Sequence, residues 1–261
     1  MLTDSELVAA AALAEELARE AMTRIRDDRP AQISTKANAA DFMTDIDVAV
    51  EQQVKDIVLQ RCPGHRVVGE ELGASGAAAG AGAPTWYLDP VDGTTNLAHG
   101  IPWCSFSLAL ADDSGPAVAV VADPWRGEVF AAVRGRGATL NGLTIRCADV
   151  TSIAGTVLMT EWSGHEPWPG MFEMLSGLSE RLCTARLMGS SALALVTAAS
   201  GRAAGVVIGS YHDVDDMAGV LIAREAGAVV QGRGGSDQPG PDGVLVAAPG
   251  VADELARLWS A

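Results

Sequence analysis

Aromatic side chains, cysteines and basic residues are all scarce in this chain of 261 residues. Only 18 Lys and Arg stand against 33 Asp and Glu, so the formal net charge is −15. A chain this acidic repels nucleic-acid backbones and acidic lipid headgroups, which argues against nucleic acid and membrane surfaces as partners. The same acidity predicts that any phosphate this protein handles is met by metal cations.

Several classes of protein are excluded by what the sequence lacks. The four cysteines form no CxxC pair, which indicates reduced core thiols in a cytoplasmic protein and no disulfide framework. No stretch of about 18 uncharged apolar residues predicts a transmembrane span. The first segment carries acids throughout and has no basic front end, so it is typical of an amphipathic helix and not of a signal peptide. The four histidines show no HExxH or paired spacing, which argues against a zinc site.

The length allows two domains or one large α/β unit, and hydrophobic periodicity predicts an α+β first half to about residue 150 and an α/β second half from about 151. Helices are predicted over residues 4–27 and from Thr44 to Cys62, with a loop or short hairpin between them. Residues 73–84 predict a low-complexity loop. Short apolar runs from residue 85 to 145 predict an antiparallel meander, and strand-like and helix-like segments alternate after residue 155.

Acidic residues fall where predicted elements begin or end. Glu70 follows the strand HRVVG, Asp89 follows the strand TWYL, Asp47 lies in the first turn of a helix, and Asp216 opens another helix. Carboxylates that meet in space repel one another unless a cation lies among them. Hard oxygen ligands of this kind suit Mg²⁺ or Mn²⁺ better than zinc.

The stretch LDPVDGTT at residues 88–95 predicts a combined metal and phosphate site. Pro90 stiffens a turn, so that Asp89, Asp92 and the Val91 carbonyl can point toward one position. Free N–H groups from residue 93 to 95 bind phosphate oxygens well, and metals beside such groups are typical of phosphoryl hydrolysis. The alternative is an acidic surface turn before a capped helix. The position after an apolar strand favours the site, because ligands gather at the carboxyl ends of strands.

Five segments, in order, together resemble the inositol monophosphatase family of magnesium-dependent, lithium-sensitive phosphatases. They are DFMTDID at 41–47, GEE at 69–71, LDPVDGTTNLAHGIPWCSFSLAL at 88–110, GSSALAL at 189–195 and DDMAGVLIAREAGA at 215–228. The resemblance implies a single domain over residues 1–261, a layered α-β-α-β-α sandwich of the sugar-phosphatase type and a homodimer. It also implies hydrolysis of a small phosphorylated metabolite, an inositol-phosphate-like monoester, by direct attack of a metal-activated water.

The resemblance assigns roles to residues of this chain. It implies two Mg²⁺ ions, with Mn²⁺ as a substitute and a third, weaker ion at Glu70 left open, and the expected ligands are Glu70, Asp89, the Val91 carbonyl, Asp92 and Asp216. Thr94, hydrogen-bonded to Asp47, is expected to activate the attacking water together with Glu70. The expected substrate-binding residues are Asp92, Gly93, Thr94, Thr95, Gly189, Ser190, Ser191 and Asp216.

Two positions depart from the family pattern. Asp215 stands where Trp commonly precedes the last ligand, so Asp213 and Asp215 compete with Asp216, which the following Met-Ala-Gly favours. Gly209 stands where inositol-specific members have a glutamate that contacts the sugar. Phosphatases of the same fold acting on histidinol phosphate, fructose bisphosphate or 3′-phosphoadenosine phosphates are therefore alternatives. A non-catalytic regulatory or binding homologue is the alternative from another class.

Overall fold

Layers of helix and sheet alternate through residues 1–78, 82–163 and 165–260, which are the residues that this computed structural model describes. The seven α-helices within these residues are α1 (Asp4–Asp27), α2 (Asp45–Arg61), α3 (Thr94–Ala98), α4 (Met171–Glu180), α5 (Ser191–Ala199), α6 (Asp213–Glu225) and α7 (Ala252–Ser260). The strands of the first half are β1 (Ile33–Thr35), β2 (Phe42–Thr44), β3 (Arg66–Gly69), β4 (Gly73–Gly76), β5 (Thr85–Asp92), β6 (Ser105–Asp112), β7 (Gly115–Asp123), β8 (Glu128–Val133), β9 (Ala138–Leu140) and β10 (Leu143–Ile145). Those of the second half are β11 (Val157–Thr160), β12 (Thr184–Leu187), β13 (Gly205–Ile208), β14 (Val229–Gly232) and β15 (Val244–Ala247).

Both N-terminal helices begin at capping boxes. Thr3 caps α1 and pairs reciprocally with Glu6, and Thr44 caps α2 and pairs reciprocally with Asp47. Such a box satisfies two of the N–H groups that a helix start leaves free. Both helices therefore start where the sequence predicts, and the predicted hairpin before α2 is confirmed as β1 paired antiparallel with β2.

The larger sheet has the strand order β10-β9-β8-β7-β6-β5-β3-β4. The meander predicted from residue 85 to 145 is confirmed, because each strand from β5 to β10 pairs antiparallel with the next. The loop predicted over residues 73–84 is wrong in its first part: residues 73–76 form β4 and pair with β3. Gly, Ala and Ser give no apolar alternation, so this backbone pairing leaves no pattern in the sequence. Residues 79–81 of that predicted loop lie outside the described residues.

The end of β5, which contains the predicted ligands Asp89 and Asp92, pairs irregularly with β6. Asp89 pairs with Ser107 and Asp92 pairs with Ser105, so three steps along β5 match two steps along β6. This one-residue bulge replaces the predicted turn. A bulge bends a strand and changes the direction of its side chains, which is how it serves sites at sheet ends.

The smaller sheet has the order β12-β11-β13-β15-β14 and is mixed. Strands β12, β11 and β13 run parallel, whereas β15 and β14 are antiparallel to their neighbours. Strand β14 is not among the predicted strands.

Three buried clusters separate the layers. Helices α1 and α2 pack on one face of the larger sheet, α5 and α6 fill the space between the sheets, and α4 and α7 cover the outer face of the smaller sheet. The expected α-β-α-β-α order is confirmed. No helix in the described residues combines the length and the apolar character that crossing a membrane requires.

Candidate metal and phosphate site

A cleft of about 790 Å³ receives residues from both sheets and from the β1–β2 hairpin. It brings together nearly all of the residues that the sequence predicts for the site. Those that line it are Glu70, Asp89, Val91, Asp92, Gly93, Thr94, Thr95, Gly189, Ser190, Ser191 and Asp216. Asp47 is fully buried and joins the site through its hydrogen bond to Thr94.

Three carboxylates form the acidic centre of the cleft. Among the described residues, Glu70, Asp89 and Asp215 each offer one oxygen, and these oxygens all lie within 4.8 Å of one another. Glu70 follows β3, Asp89 lies on β5, and Asp215 lies in the first turn of α6. The sequence analysis places Asp216 in the ligand set; the structure brings Asp215 into this group, and Asp216 also lines the cleft.

The electrostatics of these acids call for a cation. Burial, followed by the charges of neighbouring carboxylates, raises the pKa of Asp89 well above its ordinary value and that of Asp215 to about 9. Burial also raises the pKa of Asp92 to about 6 against hydrogen bonds that lower it, and the pKa of Asp216 to about 7. A divalent ion would reverse these shifts, because an opposite charge favours the ionised carboxylate.

The donor set fits Mg²⁺. All of its members are oxygen ligands, which hard divalent cations prefer. The Oδ1 atom of Asp216 is buried and has no hydrogen-bond partner within the described part of the chain, whereas Oδ2 accepts from the His212 N–H at 2.9 Å. A buried carboxylate oxygen without a partner is costly unless a cation or water completes it.

Thr94 connects the acidic centre to Asp47. Its hydroxyl lies 2.9 Å from Asp47 Oδ1 and 2.9 Å from the Val91 carbonyl oxygen, and one hydroxyl hydrogen serves these two acceptors. Asp47 also accepts from the N–H and the hydroxyl of Thr44. Burial raises the pKa of Asp47, and these hydrogen bonds oppose the increase.

Asp92 holds the start of α5 against the site. It accepts from the Ala192 N–H at 2.8 Å, the Ser191 N–H at 3.3 Å and the Ser190 hydroxyl. A carboxylate at a helix N-terminus is stabilised by the N–H groups and the helix dipole. Gly93 next to it has φ +92°, and a Cβ there would lie 2.7 Å from the Gly189 carbonyl oxygen.

Lys36 enters the site from the β1–β2 hairpin and is absent from the predicted set. Its Nζ donates to Glu70 at 2.7 Å and to Glu71 at 3.0 Å. Burial alone would lower the pKa of Lys36, but the hydrogen bonds and charges of these glutamates raise it above its ordinary value. The only sequence signal is a lysine in the polar segment before α2, which is too common to assign.

Glu161 is a second site residue that the sequence analysis misses. It is 6% exposed, lines the cleft, and accepts from the Gly189 N–H at 2.7 Å and the Met188 N–H at 3.2 Å. Burial raises its pKa to about 7. The available signal is an acid directly after the apolar strand β11, the same signal that identifies Asp89.

Gly209 has a packing role in this structure. A Cβ on it would lie 2.1 Å from Cγ of Trp168, whose buried ring covers the glycine. No side chain other than hydrogen fits this position while Trp168 stays in place. The neighbouring residue, Ile208, lines the cleft instead.

Comparisons with known proteins agree with this geometry. The model of the inositol monophosphatase family matches residues 4–260. The chain is 37% identical over 226 residues to Nus factor SuhB of Pasteurella multocida (strain Pm70), covering 85% of this chain and 84% of that one. It is 34% identical over 223 residues to inositol monophosphatase 2 of Homo sapiens, covering 83% and 75%. The solved structure of Mycobacterium tuberculosis SuhB has a TM-score of 0.80 at 32% identity and covers 98% of this chain and 97% of that one.

Proposed function

This chain belongs to the inositol monophosphatase family, and on that premise we propose that it is a Mg²⁺-dependent phosphatase that hydrolyses a small phosphate monoester by direct attack of water. The observation that carries the proposal is the group of Glu70, Asp89 and Asp215, whose oxygens lie within 4.8 Å of one another. This group opens into the same cleft as the start of α3. Metal ligands and phosphate-binding N–H groups therefore face one space.

We assign the metal ligands from that geometry. Glu70, Asp89, the Val91 carbonyl, Asp92, Asp215 and Asp216 would hold two Mg²⁺ ions, with Mn²⁺ as a substitute and any third, weaker ion at Glu70. Asp215 is added to the set predicted from sequence, and Asp216, whose buried Oδ1 has no hydrogen-bond partner within the described residues, stays in it. When bound, the ions polarise the phosphoryl oxygens, activate water and stabilise the leaving alkoxide.

The chain's own residues orient the nucleophile. With its hydrogen directed at Asp47 or at the Val91 carbonyl, the Thr94 oxygen keeps a lone pair for a water in the cleft. The pKa of Asp47, raised by burial, makes this carboxylate a better proton acceptor through Thr94. Glu70 completes the set of groups around the water.

Backbone groups bind the phosphate. The N–H groups from Gly93 to Thr95 stand at the first turn of α3, where a helix has no partner for them. They bind the phosphoryl oxygens, and Gly93 is the residue whose lack of a side chain allows that turn to lie against Gly189. Ser190, Ser191 and Asp216 extend the site toward the rest of the substrate.

Paired substitutions test the assignment of Asp215. We expect Asp215→Asn to lower kcat at least 100-fold and to raise the Mg²⁺ concentration needed for half-maximal rate, because it removes a ligand charge. Asp213→Asn is the matched control in the same helical turn, with an expected loss below tenfold, because Asp213 is not among the residues that line the cleft. Phosphate release from glycerol 2-phosphate and inositol 1-phosphate over a Mg²⁺ titration gives both numbers. Equal losses in the two variants would refute the assignment.

A wild-type panel tests the function itself. Inositol 1-phosphate, histidinol phosphate, fructose 1,6-bisphosphate and adenosine 3′,5′-bisphosphate represent the substrate classes of the same fold. Hydrolysis that requires Mg²⁺ and disappears in Asp89→Ala supports a phosphatase, and no turnover of any ester by folded, Mg²⁺-loaded protein favours the regulatory alternative. That alternative is not favoured, because the carboxylates, Thr94 and Asp47 are all in place.

Three further properties are proposed with the function. The protein is a cytoplasmic homodimer, and lithium inhibits it. Sedimentation measures the dimer, and a lithium titration at fixed Mg²⁺ measures inhibition. A monomer at micromolar concentration would contradict the proposed dimer, and full activity in lithium would contradict the proposed inhibition.

A further inference from the structure

Three parallel strands of the smaller sheet end at one edge of the cleft. Leu187 is the last residue of β12, Ile208 is the last residue of β13, and Trp162 follows β11 by two residues. These strands are neighbours in the order β12-β11-β13, so the three side chains follow adjacent strand ends. All three line the cleft. The carboxyl edge of a parallel sheet is where ligands bind in open α/β folds.

This edge differs chemically from the rest of the cleft. Large hydrophobic side chains stand in the open there: 42% of Trp162 and 38% of Leu187 are exposed. Glu161, directly after β11, is 6% exposed, and its two oxygens accept from the Met188 and Gly189 N–H groups. This carboxylate therefore presents little surface to substrate hydroxyls.

Glu161 also fixes the position of the wall, which consists of Trp162, Leu187 and Ile208. Glu161 directly precedes Trp162, and its hydrogen bond to the Gly189 N–H connects this part of the chain to the segment that leads into Ser190 and α5. Asp92 holds that same helix start. Trp162, Ser190 and Ser191 all line the cleft, so the indole shares one space with the start of α5.

We propose that Trp162, Leu187 and Ile208 form a subsite for the alcohol part of the substrate and that this subsite selects an aromatic or apolar leaving group over a polyol. The inference rests on the proposed phosphatase function for its position in the reaction. Each hydroxyl of a polyol keeps its hydrogen bonds only if the wall offers partners, and these three side chains offer only the indole N–H of Trp162. An aromatic ring instead buries apolar surface against the indole and stacks on it.

Matched esters test the selection. 2-Phenylethyl phosphate and glycerol 1-phosphate both release a primary alcohol, so they differ chiefly in the chemistry of the alcohol part. We expect wild-type kcat/KM to favour the phenylethyl ester at least tenfold, mainly through KM. Trp162→Ala should reduce that ratio about tenfold. Trp125→Ala is the control, because Trp125 has a similar exposure of 38% and does not line the cleft.

A binding measurement separates this inference from the function that it rests on. Calorimetry of Mg²⁺-loaded protein with 2-phenylethylphosphonate, which cannot be hydrolysed, should show about tenfold weaker binding in Trp162→Ala than in wild type and no change in Trp125→Ala. Turnover of both esters with a ratio near one, or equal losses on both in Trp162→Ala, overturns the inference and leaves the phosphatase standing. No turnover together with Trp162-dependent binding overturns the phosphatase and keeps the subsite.

Discussion

A buried ion pair behind Glu70 gives the sharpest prediction of stability. Glu51 and Lys55, one turn apart on α2, are 0% and 3% exposed, and Lys55 Nζ lies 2.6 Å from Glu51 Oε1. Glu51 also accepts from the Glu71 and Leu72 N–H groups at 2.8 Å each, and Lys55 donates to the Gly73 carbonyl at 2.8 Å. The pair thus holds the backbone that directly follows Glu70.

Glu51→Ala should lower the free energy of unfolding by about 4 kcal/mol. Removing one partner of a buried pair costs about 3–5 kcal/mol, because the other charge stays buried without compensation. The two N–H groups that lose their acceptor add about 1–3 kcal/mol each where water cannot reach them. Leu72 is 40% exposed, so water can replace the lost acceptor there, and the cost of breaking the ion pair alone, about 4 kcal/mol, is expected. The loss is a large fraction of a typical stability of about 5–15 kcal/mol.

Urea unfolding monitored by tryptophan fluorescence measures the effect, with Glu51→Leu/Lys55→Met as the matched variant. The double substitution leaves no buried charge, so it should recover at least half of the loss. The Mg²⁺ concentration for half-maximal phosphatase rate should rise in Glu51→Ala more than kcat falls, because Glu70 loses its support. A loss below about 1 kcal/mol at an unchanged urea slope would show that the pair contributes little, and the reasoning would fail.

Two other predictions concern the backbone and the pH dependence. Gly93→Ala should cost about 2–4 kcal/mol in urea unfolding and most of the activity, because φ is +92° and the new Cβ meets the Gly189 carbonyl; a change within 0.5 kcal/mol would contradict this. Burial raises the pKa of Glu161 from 4.5 to about 7. Between pH 4.5 and about pH 7 the folded state therefore binds a proton that the unfolded state lacks, and the free energy of unfolding falls as the pH rises through this range. Glu161→Gln should remove this slope, and parallel unfolding curves for wild type and variant from pH 5 to 8 would refute the assignment.

Local rules predict much of the first half of the fold. The capping threonines before α1 and α2 and the alternation of β6 to β8 specify these elements without reference to the rest of the chain. Strand β4 could not be predicted, because its Gly-Ala-Ser-Gly sequence becomes a strand only through pairing with β3. The bulge in β5 was also hidden, since it depends on the register with β6.

Tertiary contacts also decide the two site residues that the sequence analysis misses. Lys36 reaches the acids only because the β1–β2 hairpin lies beside the end of β3, and Lys36 and Glu70 are 34 positions apart in the sequence. Glu161 acquires its role from the Met188 and Gly189 N–H groups, which a parallel strand brings next to it. The acid after β11 is the only local signal of Glu161, and its partners lie elsewhere in the sequence, whereas LDPVDGTT carries its ligands and its phosphate-binding backbone in one continuous stretch.

The first turn of α6 shows what a sequence pattern leaves open. Three acids, Asp213, Asp215 and Asp216, occupy this turn, and successive residues of a helix point about 100° apart. Asp215 and Asp216 both line the cleft, whereas Asp213 is not among its lining residues. Asp215 joins the group with Glu70 and Asp89, and Asp216 keeps a buried Oδ1 without a hydrogen-bond partner in the described part of the chain. Besides burial, the charge of Asp216 also raises the pKa of Asp215, so the two acids together increase the negative potential at the cleft and favour cation binding.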